Sequence, residues 1–491
     1  MYPVEEQIQR TRRQFLTTAA GGIGGLALTA LLGREGHATV PGVNPLAPKP
    51  NHTAPKAKAC IFIFMEGGPS QMDLFDPKPM LNKLNGQPLP ESMTKDMRFA
   101  FIQKETATVL GSNQQFKKYG ESGMDFSTWL PNIGSCADDI CMVRSMHTDA
   151  FNHHPGQLMM NTGVPTFGRP SMGSWINYGL GSEADNLPGY VVLTAGRGTS
   201  GGASNWSSGF LPSNYQGVLF RNQGEPVLHL ANPAGLPHEC QRLGLDTVRD
   251  LNQLHYEETR DPEVLARIAS YELAYRMQSA APELIDLSGE SQATLDMYGV
   301  DRTEDGYKAS RGGPKGTFAA FSRNCLLARR LVERGVRFIN IYHASWDHHS
   351  DLDNEMKFTT AMCDQPIAAL IKDLKQRGLL EDTLVVFGSE FGRTPLGENR
   401  AGFREANTGR DHHPMAFTIW MAGGGTKGGR IIGETDDIGW NIVKDPVHIN
   451  DLHATLLHLF GLNHLDLTYR YSGRDFRLTD VAGKLVPQVY T

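Results

Sequence analysis

The fold is decided by residues 338–353, which read F-I-N-I-Y-H-A-S-W-D-H-H-S-D-L-D. The first five residues are largely apolar and prone to β structure, which predicts a strand buried in a parallel sheet. In open α/β sheets, ligands collect just beyond the carboxyl ends of such strands. At this place the chain carries six potential metal ligands within eleven residues, namely His343, Asp347, His348, His349, Asp351 and Asp353. Mixed imidazole and carboxylate ligands favour Zn²⁺, Mn²⁺ or Fe over Ca²⁺, which prefers oxygen alone.

Clusters of His, Asp, Glu, Ser or Arg recur near the ends of other predicted strands, in the windows 66–76, 147–154, 389–393 and 410–413. One interpretation is a set of polar loops whose histidines cap the following helices. However, these windows and the first stretch hold eight of the 16 histidines beyond residue 38, at positions 147, 153, 154, 343, 348, 349, 412 and 413. Histidines scattered over a surface would not gather in this way. The pattern predicts a divalent-metal site assembled from distant loops, with Zn, Mn, Ca or Mg as the ion and the number of ions left open.

Two arginines accompany these windows. Arg393 closes the window 389–393, and Arg410 opens the window 410–413. The planar guanidinium group matches the oxygens of phosphate or sulfate. A metal beside arginines therefore indicates hydrolysis of an anionic ester rather than redox chemistry.

Composition limits the class of protein. The chain has 491 residues, of which 40% are hydrophobic and 20% charged, and its formal net charge is −6. This weak acidity argues against a nucleic-acid-binding protein, whose phosphate contacts require a basic face. The length suits one large α/β domain with an insertion.

The N-terminus has the character of a transport signal. Thr11-Arg12-Arg13-Gln14-Phe15-Leu16 precedes a run of apolar and small residues to Leu32, followed by Gly36-His37-Ala38. This predicts a twin-arginine signal peptide at 1–38, and the alternative of an amphipathic helix is disfavoured by four glycines in the run. We therefore expect export to the bacterial periplasm or beyond through the twin-arginine machinery. No later segment approaches the ~20 apolar residues of a membrane span.

The remaining chain divides by composition. The proline-rich residues 39–56 are predicted to be an exposed linker, and residues 57–491 one α/β domain. Strands are predicted at 59–65, 140–146, 338–342, 383–387 and 416–422. Residues 185–310 are predicted to be an inserted cap over the substrate, with Trp206, Phe210 and Tyr215 as aromatics of a binding surface or of ordinary packing. Cys136 and Cys141 are close enough in sequence to form a local disulfide in an oxidising compartment.

Several longer motifs cover almost the whole chain beyond residue 57. They are Gly67-Gly68-Pro69-Ser70-Gln71 with Asp73, Asp76-Pro77-Lys78-Pro79, Arg169-Pro170-Ser171-Met172-Gly173-Ser174-Trp175, Trp346-Asp347-His348-His349, Ser389-Glu390-Phe391-Gly392-Arg393-Thr394-Pro395 and the segment 409–414. In these motifs the chain resembles the bacterial DUF1501 family, a group within the alkaline phosphatase and sulfatase superfamily. The glycine-rich turn 424–429 and the segment 451–462 are similar to the last turn and closing helix of sulfatases.

The resemblance implies an alkaline phosphatase-like three-layer sandwich with a mostly parallel central sheet. It also implies a metal site at the strand ends, with ligands from the first loop, a central strand and two later loops. The implied ligands are Asp73, Asp347, His349, Glu390 and either His412 or His413, with Glu66 as a rival to Asp73.

One motif of the superfamily is missing. Sulfatases carry Cys or Ser in the pattern C/S-x-P-x-R, nine residues before Thr-Gly. Counting back nine residues from Thr162 reaches His153, and Gln157 replaces the arginine. The resemblance therefore implies no formylglycine. A metal-activated water would attack instead, with His153 or His154 as a ligand or general acid/base.

The sequence thus predicts an exported, metal-dependent hydrolase of phosphate or sulfate esters. Its substrate would be a small anionic ester or a sulfated or phosphorylated glycan. Ser70 or Thr148 as a covalent nucleophile is an alternative to metal-activated water, and Arg393 and Arg410 would assist catalysis. The alternative function is an inactive superfamily member that binds anionic glycans. A phosphomutase is disfavoured, because export separates the protein from sugar-phosphate pools.

Overall fold

The computed structural model describes residues 44–90, 101–308, 311–400, 402 and 407–491. The predicted export signal at 1–38 lies outside these residues. The described part of the predicted linker, residues 44–56, contains no helix or strand. It lies against the domain, where for example Lys49 N donates a hydrogen bond to Leu180 O (2.8 Å).

The strands alternate with helices along most of the chain. In chain order the strands are β1 (Ala59–Met65), β2 (Phe116–Tyr119), β3 (Met124–Ser127), β4 (Ile140–His147), β5 (Tyr190–Ala195), β6 (Val218–Phe220), β7 (Phe338–His343), β8 (Thr383–Gly388), β9 (Gly392–Gly397), β10 (Arg410–His413), β11 (Phe417–Ala422), β12 (Arg430–Ile432), β13 (Glu434–Thr435), β14 (Ile442–Lys444), β15 (Val447–His448), β16 (Tyr469–Tyr471) and β17 (Arg474–Phe476).

The helices range from single turns to seven turns in length. In chain order the α-helices are α1 (Gln71–Leu74), α2 (Pro79–Lys83), α3 (Pro131–Gly134), α4 (His153–Thr162), α5 (Met172–Leu180), α6 (His238–Thr259), α7 (Pro262–Ile285), α8 (Gln292–Tyr298), α9 (Thr317–Glu333), α10 (Leu352–Gln376) and α11 (Ile449–Leu459).

The central sheet, as far as the chain is described, has nine strands in the order β12-β4-β11-β8-β1-β7-β5-β6, with β15 beside β4. All its strand pairs are parallel except those of β11, which runs antiparallel to β4 and β8. The expected α/β class with a mostly parallel central sheet is therefore confirmed. β1, β4, β7, β8 and β11 coincide with the five predicted strands.

The direction of β11 follows from the connection that precedes it. Between β8 and β11 the described residues form the β9–β10 hairpin and no crossover helix, whereas parallel neighbours are joined by long crossovers, usually a helix. Strand β11 therefore begins at the edge where β8 ends, and its first residue Phe417 pairs with Met146 near the end of β4. As a result, residues just before β11 lie at the carboxyl edge of the parallel strands.

Alternate residues of β1 point to opposite faces of the sheet, as the pleat requires. Ile61 and Ile63 belong to a buried apolar cluster that includes residues of α9 and α10. Phe62 and Phe64 belong to a second cluster that includes residues of α4, α5 and α11. The sheet is thus covered by helices on both faces, which makes three layers.

The predicted disulfide between Cys136 and Cys141 is wrong, because all six cysteines are free. Cys136 packs in the apolar cluster on one face of the sheet, and Cys141 packs in the cluster on the other face. The sheet itself therefore separates the two thiols.

The predicted insertion at 185–310 contains two different kinds of structure. Strands β5 and β6 belong to the central sheet, whereas α6 and α7 pack against each other outside it. Trp206 and Tyr215 are buried in the core, so only Phe210 of the three predicted surface aromatics is partly exposed. Among the helices of the described ranges, none has both the length and the apolar character needed to cross a lipid bilayer.

Candidate metal centre

Four side chains from three separate parts of the chain meet at the carboxyl edge of the sheet. Asp347 and His349 follow β7, His153 begins α4, and His412 lies in β10. One ligand atom from each lies within 4.8 Å of the ligand atoms of the other three. The antiparallel direction of β11 brings His412 to this edge.

The distances between these atoms fit a small bound cation. Asp347 Oδ1 lies 2.7 Å from His349 Nε2 and 3.1 Å from His412 Nε2, and these two nitrogens are 3.1 Å apart. His153 Nε2 lies 3.4 Å from Asp347 Oδ2. Ligands at Zn–N and Zn–O distances of about 2.0–2.1 Å stand roughly 3.3 Å apart in a tetrahedron. Three nitrogens and one carboxylate therefore suit Zn²⁺ or a similar transition-metal ion.

Each of the three imidazoles is oriented by a partner at its Nδ1 atom. His412 Nδ1 lies 2.9 Å from Phe151 O, His153 Nδ1 lies 2.8 Å from Glu390 Oε1, and His349 Nδ1 contacts Glu398 Oε2. An acceptor at Nδ1 fixes the proton there and turns the Nε2 lone pair inward, which is the usual arrangement of metal-binding histidines. Two inward lone pairs only 3.1 Å apart repel each other unless a cation or a proton lies between them.

Burial and neighbouring charges shift the pKa values of the clustered side chains. Burial on its own would raise the pKa of Asp347, but Arg393 and the neighbouring imidazoles hold that pKa far below its ordinary value. Burial opposes protonation of His153, yet its hydrogen bonds to Asp347 and Glu390 raise its pKa to about 10. Burial lowers the pKa of His412. A divalent cation requires an ionised carboxylate and imidazoles that are neutral or that release a proton when the cation binds. The cluster meets this requirement.

The loop after β1 packs against the backbone of Asp347. Gly67 has φ +117°, and a Cβ atom at this position would lie 2.3 Å from Asp347 N. Only glycine permits this backbone approach. Trp346 N also donates a hydrogen bond to Glu66 O (3.0 Å), so the first loop and the loop after β7 are joined.

Glu390, predicted as a metal ligand, lies behind His153 rather than in the cluster. Its carboxylate is fully buried and accepts hydrogen bonds from Gly67 N (2.9 Å) and Ser389 Oγ (2.7 Å). Its remaining contact is with His153 Nδ1. Glu390 therefore orients a candidate ligand.

Asp73 and Arg410 are paired with each other beside the cluster. Arg410 Nε donates to Asp73 Oδ2 at 2.7 Å, and both side chains are buried. Ser70 Oγ (2.5 Å) and Ser112 Oγ (2.6 Å) donate to the same carboxylate. Asp73 has no bond to the four clustered ligands, and the Ser70 hydroxyl is engaged in this ion pair.

Arg393 and His413 are also enclosed in the protein. Arg393 donates to Asp347 Oδ1 (2.6 Å) and to the carbonyl of Arg410 (2.9 Å), and its side chain is only 1% exposed. His413 Nε2 is bonded to Trp440 O (2.7 Å), and burial lowers the pKa of its imidazole to about 4. Arg393 thus supports Asp347, and His413 supports a neighbouring loop.

An open cavity of about 580 Å³ lies over the cluster. Besides the four candidate ligands it is lined by residues that the sequence did not single out, above all Phe101, Arg311, Glu398 and Arg400. Arg311 Nη1 donates to Asp347 O (3.0 Å), and the Arg400 guanidinium lies 3.7 Å from the Phe101 ring centre. None of these four belongs to a window that mixes histidine with acidic residues, so no signal in the sequence marks them.

A second chamber of about 430 Å³ adjoins the first at His153 and Asp347. It is lined by Glu66, His154 and Ser200 among others, and Ser200 N donates to Glu66 Oε2 (2.8 Å). His154 is exposed here. Thr148, the other predicted nucleophile, is buried and lines neither chamber.

One protein family matches this chain. The model of the DUF1501 family, described as "Protein of unknown function (DUF1501)", matches residues 57–490. A search of curated proteins gave no match.

Solved structures that are similar to this chain include three enzymes. PsFucS1 sulfatase from Pseudoalteromonas sp. shares 11% identity over 82% of this chain and 68% of its own, with a TM-score of 0.36. A phosphonate monoester hydrolase from Silicibacter pomeroyi shares 12% over 82% and 73%, with a TM-score of 0.30. The lipoteichoic acid synthase LtaP from Listeria monocytogenes shares 8% over 88% and 78%, with a TM-score of 0.32.

Proposed function

The chain belongs to the DUF1501 family, and we propose that this member is an exported, metal-dependent hydrolase of phosphate or sulfate esters. The observation that carries the proposal is the convergence of His153, Asp347, His349 and His412 beneath an open cavity. Export rests on the twin-arginine pattern of residues 1–38.

Asp347, His349 and His412 would hold the metal, because their ligand atoms form the tightest group, with separations of 2.7–3.1 Å. His153 stands at the open side, where it is either the fourth ligand or the proton-transfer group. A divalent cation held by these residues would polarise an ester oxygen and would lower the pKa of water. Zn²⁺ or Mn²⁺ fits these ligands better than Ca²⁺ or Mg²⁺, which prefer oxygen.

His153 is suited to moving a proton at Nε2. Glu390 holds the proton of its Nδ1 atom, so Nε2 faces Asp347 and borders both chambers. Because its pKa is raised to about 10, the His153 imidazolium carries a proton at Nε2 that it can give to the leaving alcohol. Direct attack by water is favoured over a serine nucleophile, because the Ser70 hydroxyl is bonded to Asp73.

Arg311 and Arg400 would recognise the anionic ester. Both line the cavity, and Arg400 is 57% exposed although it forms an ion pair with Glu398, whereas Arg393 and Arg410 are buried in ion pairs with Asp347 and Asp73. Guanidinium groups at a cavity wall bind phosphate or sulfate oxygens through charge-assisted hydrogen bonds. The cavity volume of about 580 Å³ leaves room for a substituted alcohol, so a sugar ester is a suitable substrate.

The test is metal analysis and hydrolysis of an aryl phosphate and an aryl sulfate by purified protein. Asp347→Asn should lose bound metal and lower kcat/KM more than about 100-fold, beyond the loss typical of residues that only orient ligands. Asp353→Asn is the matched control in the same segment, since Asp353 bonds to Asn113 and Gln114 outside the cluster.

Wild-type protein that binds no divalent metal and hydrolyses neither ester would overturn the proposal. Binding of an anionic glycan without turnover, undiminished in Asp347→Asn, would favour the inactive glycan-binding protein instead.

A further inference from the structure

A second group of charged and aromatic side chains lies on the surface, separate from the metal centre. It consists of Arg169, Phe210, Tyr471, Arg474 and Phe476, and we call it the aromatic–arginine patch. None of these residues lines either chamber described above. Tyr471 is 49% exposed, and the Arg474 side chain is likewise 49% exposed.

The hairpin of β16 and β17 builds one side of the patch. Its turn is formed by Ser472 and Gly473, both with positive φ, the geometry of a two-residue hairpin turn. Tyr471 pairs with Arg474, and Tyr469 pairs with Phe476. Because side chains alternate along each strand, these four residues share one face of the hairpin.

Gly209 fastens the other side of the patch. Its φ is +55°, and a Cβ atom at this position would lie 2.5 Å from the carbonyl carbon of Arg169. The close approach fixes Phe210, the next residue, beside Arg169. Arg169 is the first residue of the motif 169–175, and no residue of this motif belongs to the metal centre.

The rings and guanidinium groups of the two sides are in contact. The Phe210 ring stacks on Tyr471 with centroids 5.2 Å apart and planes 16° apart, and it lies 4.9 Å from Phe476. Arg169 lies 4.3 Å from the Phe476 ring centre, and Arg474 lies 4.7 Å from it. Two cations are therefore held at one aromatic ring.

The charge of the patch is only partly balanced. Arg474 forms an ion pair with Asp480. Arg169 forms no ion pair among the described residues; it is attracted by Asp480 and repelled by Arg474. An added anion between the two guanidinium groups would relieve their repulsion.

We propose that the aromatic–arginine patch binds a sugar unit that carries a sulfate or carboxylate group, as part of a glycan. The weakly positive C–H face of a sugar ring packs on the negative face of an aromatic ring. The anionic group is then placed at Arg169, where a planar guanidinium can donate two hydrogen bonds. A nucleic acid also offers stacking faces, but the net charge of −6 opposes it.

This inference stands independently of the proposed hydrolysis, because it concerns binding outside the cavity. The test is native affinity electrophoresis of the full chain in gels that contain dextran sulfate, alginate or neutral dextran. Arg169→Gln should weaken retention in the effective gel by at least about tenfold, from the loss of charged hydrogen bonds. Tyr471→Ser, a change at a half-exposed ring, should weaken it as well and keeps the test valid if the first variant fails to fold.

Arg470→Gln is the matched control, since Arg470 lies on the opposite face of the same hairpin and pairs with Asp475. Its retention should stay within about threefold of wild type, as expected for an exposed ion pair. Retention by dextran sulfate alone would identify sulfate as the anion, and retention by both polymers would include carboxylate. Equal losses in Arg169→Gln and Arg470→Gln, no retention by either anionic polymer, or equal retention by neutral dextran would each overturn the proposal.

Discussion

Replacement of Glu390 by Gln distinguishes a residue that orients a ligand from a residue that binds metal itself. The Glu390 carboxylate is bonded to Gly67 N (2.9 Å), Ser389 Oγ (2.7 Å) and His153 Nδ1 (2.8 Å). Gln has the same shape. Its carbonyl can accept from Gly67 and His153, and its amide can donate to the Ser389 hydroxyl. We therefore expect the fold to persist, with a loss of about 1–3 kcal/mol in the free energy of unfolding.

The effect on metal binding follows from the changed hydrogen bond to His153. A charge-assisted bond is roughly twice as strong as a neutral one, so its replacement costs about 1–2 kcal/mol of orientation. This corresponds to a loss of roughly 5–30-fold in metal affinity, which overlaps the range of about 10–100-fold found when outer partners of metal ligands are mutated.

The assay is competition for metal with a chelator of known affinity, on wild type, Glu390→Gln and Ser389→Ala. The last variant removes the hydroxyl that donates to the same carboxylate and accepts from Gly68 N, but it keeps the bond between Glu390 and His153. It should change the affinity by less than about threefold. Unchanged affinity in Glu390→Gln would refute His153 as the fourth ligand and would leave the imidazole that Glu390 orients as the proton-transfer group. A loss far beyond about 100-fold, with the fold intact, would instead make Glu390 a direct ligand.

Three other variants test separate parts of the account. Arg410→Met leaves the buried Asp73 carboxylate unpaired and should cost about 3–5 kcal/mol in urea unfolding, so a cost below about 1 kcal/mol would contradict the ion pair. Arg311→Gln should raise KM for an aryl phosphate about tenfold with little change in kcat, as expected when binding is lost equally in the ground and transition states; a fall in kcat at constant KM would disagree. Burial lowers the pKa of His453 to about 4 from an ordinary 6.5, so the unfolded chain binds this proton more readily than the folded protein. The free energy of unfolding is therefore at its full value above pH 6.5 and decreases as the pH falls towards 4. This decrease in the free energy of unfolding reaches about 3 kcal/mol. His453→Gln, measured by urea unfolding at pH 7 and pH 4, should lose less stability on acidification than wild type by that amount. Equal losses in the two proteins would contradict the prediction.

The main strands of the sheet, and the polar residues that follow them, were predictable from short-range sequence patterns. Apolar runs such as Phe338–His343 indicate buried strands, and polar residues directly after them must lie at one edge of a parallel sheet. For this reason the pattern predicted a metal site after β7 with six candidate ligands, and the resemblance to the DUF1501 family implied Asp347 and His349 among them. The position of His412 depended on the antiparallel return of β11, which the sequence does not mark.

The choice between neighbouring residues was not predictable. His412 and His413 are adjacent in β10, and successive side chains of a strand point to opposite sides, so only one of them can reach the cluster. The sequence gives no phase for so short a strand. In the structure His412 faces Asp347, and His413 faces Trp440.

Pairing between distant charges was also hidden. Asp73 and Arg410 both carry the chemistry expected of a catalytic site, but they are 337 residues apart and neutralise each other. Glu398 was missed for the opposite reason, since it is an isolated acid that the fold brings into contact with His349. In both cases the partner is supplied by the fold and not by the local sequence.

The central claim is that Asp347, His349 and His412 hold one metal ion. It is tested most directly by anomalous diffraction from crystals of metal-loaded protein, recorded on both sides of the absorption edge of the metal. We predict an anomalous peak within bonding distance of Asp347 Oδ1, His349 Nε2 and His412 Nε2, about 2.0–2.2 Å from each for zinc. A peak elsewhere in the molecule, or none at this cluster in protein that carries stoichiometric metal, would contradict the account.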